Sequence, residues 1–194
     1  MIKAAAFILI GGKSLRFGSS KWEVKIGQET VLERILDSCK EFESIKLVGK
    51  DRPLRSQAPF IKDGYELHAP MVGLHAALKQ SQHDWNLIIS CDLPLITARI
   101  IDQLWKNNKK GSDVIIPVVN DMLQTTCAFY HRKLLDLCTA GIQNNMLCLN
   151  DLVRSVNYLE VGFSDQIDAF LNMNTKEDLA WIKKTIIIKR MDQS

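Results

Sequence analysis

Ala4-Ala5-Ala6-Phe7-Ile8-Leu9-Ile10, followed at once by Gly11-Gly12-Lys13-Ser14-Leu15-Arg16-Phe17-Gly18-Ser19-Ser20-Lys21, is the stretch on which the reading of this chain turns. A short, unbroken apolar run reads as a strand buried on both faces. Adjacent Gly11 and Gly12 let the backbone turn sharply and bring its N–H groups close to an anion, which any Cβ would obstruct. Arg16 adds a planar fork of donors and Lys21 a point charge within reach of the same place. Glycines and cations at the end of a first strand make a phosphate cradle. Two other glycine-rich loops do not fit. Gly12-Lys13-Ser14 has the ending of a P-loop, but the earlier glycine of that motif would fall at Phe7, inside the strand. The dinucleotide pattern Gly-x-Gly-x-x-Gly is absent.

Working outward, short apolar runs alternate with amphipathic segments. Residues 45–48, 85–90, 113–119, 126–130, 157–161 and 169–173 read as strands, and residues 30–40, 72–80, 98–105, 132–139 and 146–154 as helices. In residues 30–40, Val31, Leu32, Ile35 and Cys39 share a face while Glu33 and Arg34 point outward. Thr175 caps a final helix, and Asp178 completes a box-like start. Alternation of this kind predicts an α/β chain, a single-domain, Rossmann-like three-layer sandwich with a mainly parallel sheet, spanning residues 1–194. Ligands of such sheets bind at the carboxyl ends of the strands, where strand order reverses. The residues just after each apolar run are therefore the candidates.

Composition narrows the function classes. The chain has 194 residues, 46% of them hydrophobic and 24% charged, with a net charge of +3. That balance suits an anionic small molecule, and without a dense Lys/Arg run it does not suit nucleic acid. Five cysteines, Cys39, Cys91, Cys127, Cys138 and Cys148, form no Cys-x-x-Cys pair. Reduced, buried thiols in the cytoplasm are expected, not disulfides or a zinc site. The four histidines lack metal-binding spacing. The run at 4–10 is followed by Gly-Gly-Lys and lacks a small-x-small cleavage site, so it reads as a strand and not a signal peptide. No stretch nears the roughly 20 apolar residues of a membrane span.

One carboxylate stands at the expected rim, and a second precedes a Pro-containing segment. Asp92, in Ser90-Cys91-Asp92-Leu93-Pro94, directly follows an apolar run, where it can hold Mg²⁺ against a triphosphate. Asp63 precedes Ala69-Pro70-Met71-Val72-Gly73-Leu74. Taken alone, Asp-x-Pro and Asp63-Gly64 are also ordinary turn sequences.

The first loop resembles the signature of the nucleotidyltransferase superfamily that activates sugars, pterins and alcohols, Leu-Ala-Gly/Ala-Gly-x-Ser-x-Arg-Met-Gly-x-x-Lys. Leu9, Gly11, Gly12, Ser14, Arg16, Gly18 and Lys21 match, with Ile10 for Ala and Phe17 for Met. The double glycine is similar to the branch of molybdenum cofactor guanylyltransferases. Residues 69–74 resemble Gly-Pro-Leu-x-Gly-Ile, Ala69 replacing the first glycine; residues 124–130 resemble Gln/His-Pro-Leu-x-Ala-x-Tyr; and residues 172–179 resemble Asn-x-Asn-Thr-Pro-Glu-Asp-Leu. Where relatives often carry Gly followed by Arg or Lys, this chain has Gly141-Ile142-Gln143-Asn144-Asn145.

The resemblance implies transfer of GMP from GTP to molybdopterin, with Mg²⁺ as cofactor. It implies Arg16, Lys21 and Asp92 as catalytic residues, Asp92 also holding the metal. Leu9, Ile10, Gly11, Gly12, Lys21, Asp63 and Asp92 would contact the nucleotide, in a half of about residues 1–95. Gln124, Asn172 and Asn174 would face the acceptor, in residues 96–194. Cofactor-synthesis and cofactor-accepting proteins would be its partners, with no nucleic acid and no membrane. Two other readings stay open: a sibling enzyme with another base or acceptor, such as a cytidylyltransferase, and a nucleotide-binding regulator without turnover.

Overall fold

Strand β1 (Ile2–Leu9) runs through the middle of the sheet because both of its faces are apolar. Ala4, Ala6 and Ile8 enter one core, and Ala5, Phe7 and Leu9 enter the other. The computed structural model describes residues 1–11, 20–53, 56–108 and 111–191, with side chains as far as residue 186. Helices α1 (Val31–Ser38), α3 (Ala98–Lys106) and α6 (Lys176–Met191) cover the first core. Helices α2 (Pro70–Gln80), α4 (Leu135–Gln143) and α5 (Leu149–Arg154) cover the second. The chain is thus an α/β three-layer sandwich, the Rossmann-like arrangement expected from the alternation.

The remaining strands are β2 (Lys25–Ile26), β3 (Glu29–Thr30), β4 (Phe42–Gly49), β5 (Phe60–Lys62), β6 (Trp85–Ser90), β7 (Val114–Val119), β8 (Met122–Leu123), β9 (Cys127–His131) and β10 (Tyr158–Gly162). The main sheet has the order β10-β7-β9-β6-β1-β4-β5, with β8 paired to β7. β1 lies parallel to both β4 and β6, β4 to β5, and β7 to β10. Only β9 within that order is antiparallel to its neighbours. It enters reversed because β8 folds back on β7 through Asn120 and Asp121, both with positive φ (49° and 61°), residues that tolerate the left-handed turn of a tight hairpin. From β1 the chain goes out to β4 and β5, then returns across β1 to β6 on the other side. The carboxyl end of β1 is therefore the switch point, where a crevice opens between diverging connections.

Residues 169–173 are not a strand. Ser164–Phe170 forms 3₁₀ turns, and the chain continues irregularly to α6. Ala169 and Phe170 are both buried, as neighbours in the central strands are, but the Met173 amide bonds to the Asp92 carbonyl (2.8 Å) instead of joining a ladder. The short β2–β3 hairpin around Gly27 (φ 69°) and the edge strand β5 escape the sequence pattern because they are only partly buried. Elsewhere local signals hold. Thr30 caps α1 by accepting from Glu33 N (3.2 Å) while the Glu33 carboxylate accepts from Thr30 N (2.7 Å). No helix among the described residues is long and apolar enough to cross a membrane.

Candidate functional site

A cleft of about 250 Å³ opens at the end of β1. Leu9 and Gly11 form its floor, and Gly49 and Lys50, at the end of β4, one flank. Ala69, Pro70 and Gly73, from the start of α2, form a second wall; Ser90 and Thr126 close the far side. Hydrogen bonds fasten the floor to both neighbouring strands: Ile10 N donates to Val48 O (2.9 Å) and Cys91 N to Leu9 O (3.0 Å). Gly73 packs closely here: a Cβ would meet Leu9 Cδ2 at 2.8 Å, so that side chain would have to shift. Ile10, in contrast, sends its side chain into the core covered by α1 and α3. A Cβ on Gly49 would stand 2.9 Å from Ile10 Cγ1, so Gly49 makes the room that the bulky Ile10 occupies.

Asp63 reaches the cleft from the turn after β5, and it is not alone. Lys50 Nζ lies 2.7 Å from Asp63 Oδ1 and also donates to the Tyr65 carbonyl. Gly64 (φ 72°) turns the chain so that Tyr65 N can approach the same carboxylate oxygen at 3.4 Å. With Asp63 only 10% and Lys50 23% exposed, each charge depends on the other. Lys50 is a site residue that the motif reading overlooked. It stands just after a strand, at the carboxyl rim of the sheet where ligand residues gather.

A second cluster flanks this cleft. Lys21 opens a 3₁₀ turn, Lys21–Glu23, after the glycine-rich loop. Its ammonium donates to Asn174 Oδ1 (2.5 Å) and lies 4.0 Å from Asp92 Oδ2. The other carboxylate oxygen, Asp92 Oδ1, is buried and has no hydrogen-bond partner among the described residues. A buried anionic oxygen without a donor is costly, and it fits a site that takes a cation. No cluster of three or more His, Cys, Asp or Glu occurs among the described residues. A divalent ion at Asp92 would need further oxygen ligands, which substrate and water can supply. Cys91, beside it, supplies no nucleophile: burial, helped by the Asp92 charge, pushes its thiol up to about 12.

Asn174 belongs to the strap that leads into α6. Asp178 Oδ2 accepts from Asn174 N and Thr175 N (2.8 Å each), and Asp178 N donates to Thr175 Oγ1 (3.1 Å). The amide of Asn174 foremost, with Thr175 and Lys21, holds the Asp178 carboxyl below its usual range.

A model of the MobA-like NTP transferase domain matches residues 6–156. The chain belongs to this family. A protein of Aquifex aeolicus named "Probable molybdenum cofactor guanylyltransferase" is 33% identical over 177 residues, 89% of this chain and 87% of that one. The molybdenum cofactor guanylyltransferase of Vibrio parahaemolyticus is 27% identical over 181 residues, covering 89% and 91%. A crystal structure of an Aquifex aeolicus protein superposes with a TM-score of 0.78 at 31% identity, covering 90% of this chain and 96% of that one. The Archaeoglobus fulgidus molybdopterin-guanine dinucleotide biosynthesis protein A, 22% identical, has the same fold, with a TM-score of 0.81 and coverage of 94% and 98%.

For this MobA-like transferase, the structure brings together Leu9, Gly11 and Asp63 in one cleft and Lys21, Asp92 and Asn174 in the adjoining cluster. Gly12 and Arg16 lie outside the described residues. Gln124 stands at the turn into β9, where its side-chain amide donates to Met122 O (3.2 Å); its neighbour Thr126 lines the cleft instead. Asn172 is exposed and lines a separate shallow recess with Trp181 and Ile182 of α6.

Proposed function

We propose that this chain transfers GMP from GTP to the terminal phosphate of molybdopterin, releasing pyrophosphate and forming the guanine dinucleotide cofactor. The observation that carries the reading is the buried Asp92 Oδ1, without a hydrogen-bond partner among the described residues, beside Lys21 at the switch point of a nucleotidyltransferase sheet. The names of the relatives and the double glycine favour guanine and molybdopterin. The base and ribose would lie in the cleft of Leu9, Gly11 and Asp63. Arg16, Lys21 and the amides of Gly11 and Gly12 would face the triphosphate and Asn174 the acceptor, whereas Gln124, bonded to Met122 O, and Asn172, in its separate recess, stand apart from that cluster. The first half of the chain would thus supply most of the grip on the nucleotide, with Thr126 of the second half closing that cleft.

In the reaction an oxygen of the acceptor phosphate bonds to the α-phosphorus as the bond to the pyrophosphate oxygen breaks. A phosphate nucleophile is already ionised near neutral pH, so in-line positioning and charge neutralisation matter more than a general base. Lys21 offsets charge gathering at the α-phosphate, and Arg16 holds the leaving pyrophosphate. Asp92 would hold Mg²⁺, which would supply further charge neutralisation when bound. The chain would act in the cytoplasm, handing its product to cofactor-accepting proteins. The test is a panel of GTP, CTP, ATP and UTP with Mg²⁺, read as ligand-induced thermal stabilisation. GTP must stabilise most; preference for CTP would turn the assignment to a cytidylyltransferase, and no response to any nucleotide would refute it.

A further inference from the structure

We infer that Asn174 is a positioning residue that holds Lys21 off Asp92, keeping the carboxylate open for a cation; the inference rests on the reading of Lys21 and Asp92 given above. A part-buried lysine and aspartate normally close to about 2.7–2.9 Å. Here they stand 4.0 Å apart, and the ammonium donates instead to the Asn174 amide oxygen at 2.5 Å. The backbone carrying that oxygen is held in place by bonds at two successive amides. Met173 N bonds to the Asp92 carbonyl and Asn174 N to Asp178 Oδ2, each at 2.8 Å. The amide is also neutral, so it orients the ammonium without cancelling its charge. Two needs are met together: Lys21 keeps its charge for a phosphate, and Asp92 Oδ2 stays out of contact with the ammonium, beside an Oδ1 that has no hydrogen-bond partner among the described residues. The Asn174 NH₂ group takes no part in this bond and is left for the acceptor.

Without the amide, Lys21 falls onto Asp92 and competes with any cation there. Shortening a part-buried pair from this separation to contact strengthens it on the order of tenfold. The test uses Mn²⁺ as probe, its binding followed by electron paramagnetic resonance, with circular dichroism to check folding. Four proteins are compared: the wild type, Asn174→Ala, Lys21→Met and the double variant. Asn174→Ala should weaken Mn²⁺ binding about tenfold, and in the Lys21→Met background the same change should have no effect. An equal loss in both backgrounds would overturn the inference, because Asn174 would then act on the ion or the loop without Lys21. No loss in Asn174→Ala would also overturn it. Asp92→Asn, run alongside, separates this failure from failure of the parent reading. If that variant binds Mn²⁺ as the wild type does, the metal assignment of Asp92 falls and the inference with it. If it loses Mn²⁺ while Asn174→Ala does not, only the inference falls.

Discussion

Replacing Gly73 by alanine tests whether the cleft beside β1 is where the nucleotide sits. A Cβ at Gly73 would stand 2.8 Å from Leu9 Cδ2 and 3.3 Å from Leu9 Cδ1. Carbon atoms rest at about 3.5–4.0 Å, so the leucine must retreat by about 1 Å. Leu9 is 9% exposed and packs in the core under α2, so the space open to it is the cleft that it and Gly73 both line. Effects on the fold nearly offset one another. Alanine favours a helix interior by about 1 kcal/mol over glycine, and overpacking costs about 1–3 kcal/mol. Binding has no such compensation, because the displaced leucine occupies ligand space; a loss of about tenfold in GTP affinity is expected, corresponding to about 1.4 kcal/mol. Thermal unfolding with and without GTP and Mg²⁺ reads both effects. The variant should unfold within a few degrees of the wild type without ligand, while its ligand-induced shift should shrink by about 3–5 °C. A variant with an undiminished shift would refute the placement of the nucleotide in this cleft.

Further outcomes follow from particular contacts. Lys50→Met leaves Asp63 without its ion partner and should lower both stability and GTP-induced stabilisation; because the pair is partly solvated, the stability cost should fall below the about 3–5 kcal/mol of a fully buried pair. Adding Asp63→Asn should recover stability but not binding, and recovery of both would remove the pair from the nucleotide site. Tyr130→Phe strips the Thr125 carbonyl of a 2.7 Å bond in the turn beside the cleft, costing about 1–2 kcal/mol in a urea titration; an unchanged midpoint would show that the turn holds without it. Cys148 is exposed, whereas Cys91, Cys127 and Cys138 are buried with thiols pushed up to about 12, and burial raises Cys39 as well. A chromogenic disulfide reagent should therefore modify Cys148 promptly and the others only on unfolding, and Cys148→Ser should abolish the fast phase.

The sheet was legible because its strands are apolar on both faces and its helices on one. Ala5 and Ala6 already point to opposite cores, and Thr30 with Glu33 marks the start of α1 within a residue. The reversal of β9 was not legible, since an apolar run carries no direction; Asn120 and Asp121, which turn the chain back, were the clue. Residues 169–173 misled because a buried strap and a buried strand share a composition. The rim positions of Leu9, Gly11, Lys21 and Asp92 were legible from spacing around apolar runs, whereas Asp63 was marked only by the motif it resembles. The bond of Asn174 to Lys21 could not, because it joins residues separated by 153 positions. Lys50 could have been found by its place after β4, but a lone lysine at a strand end carries no pattern.

The most direct measurement of the central claim is pyrophosphate release by the purified chain given GTP, Mg²⁺ and molybdopterin, with the dinucleotide product quantified in the same samples. The wild type should release pyrophosphate in step with product, and only with the metal present. Asp92→Asn, which keeps the shape of the side chain and removes its charge, should lower the rate by about a hundredfold or more while melting like the wild type. An Asp92→Asn protein that turns over at the wild-type rate, or a wild-type protein that binds GTP but releases no pyrophosphate with the acceptor, would contradict the account.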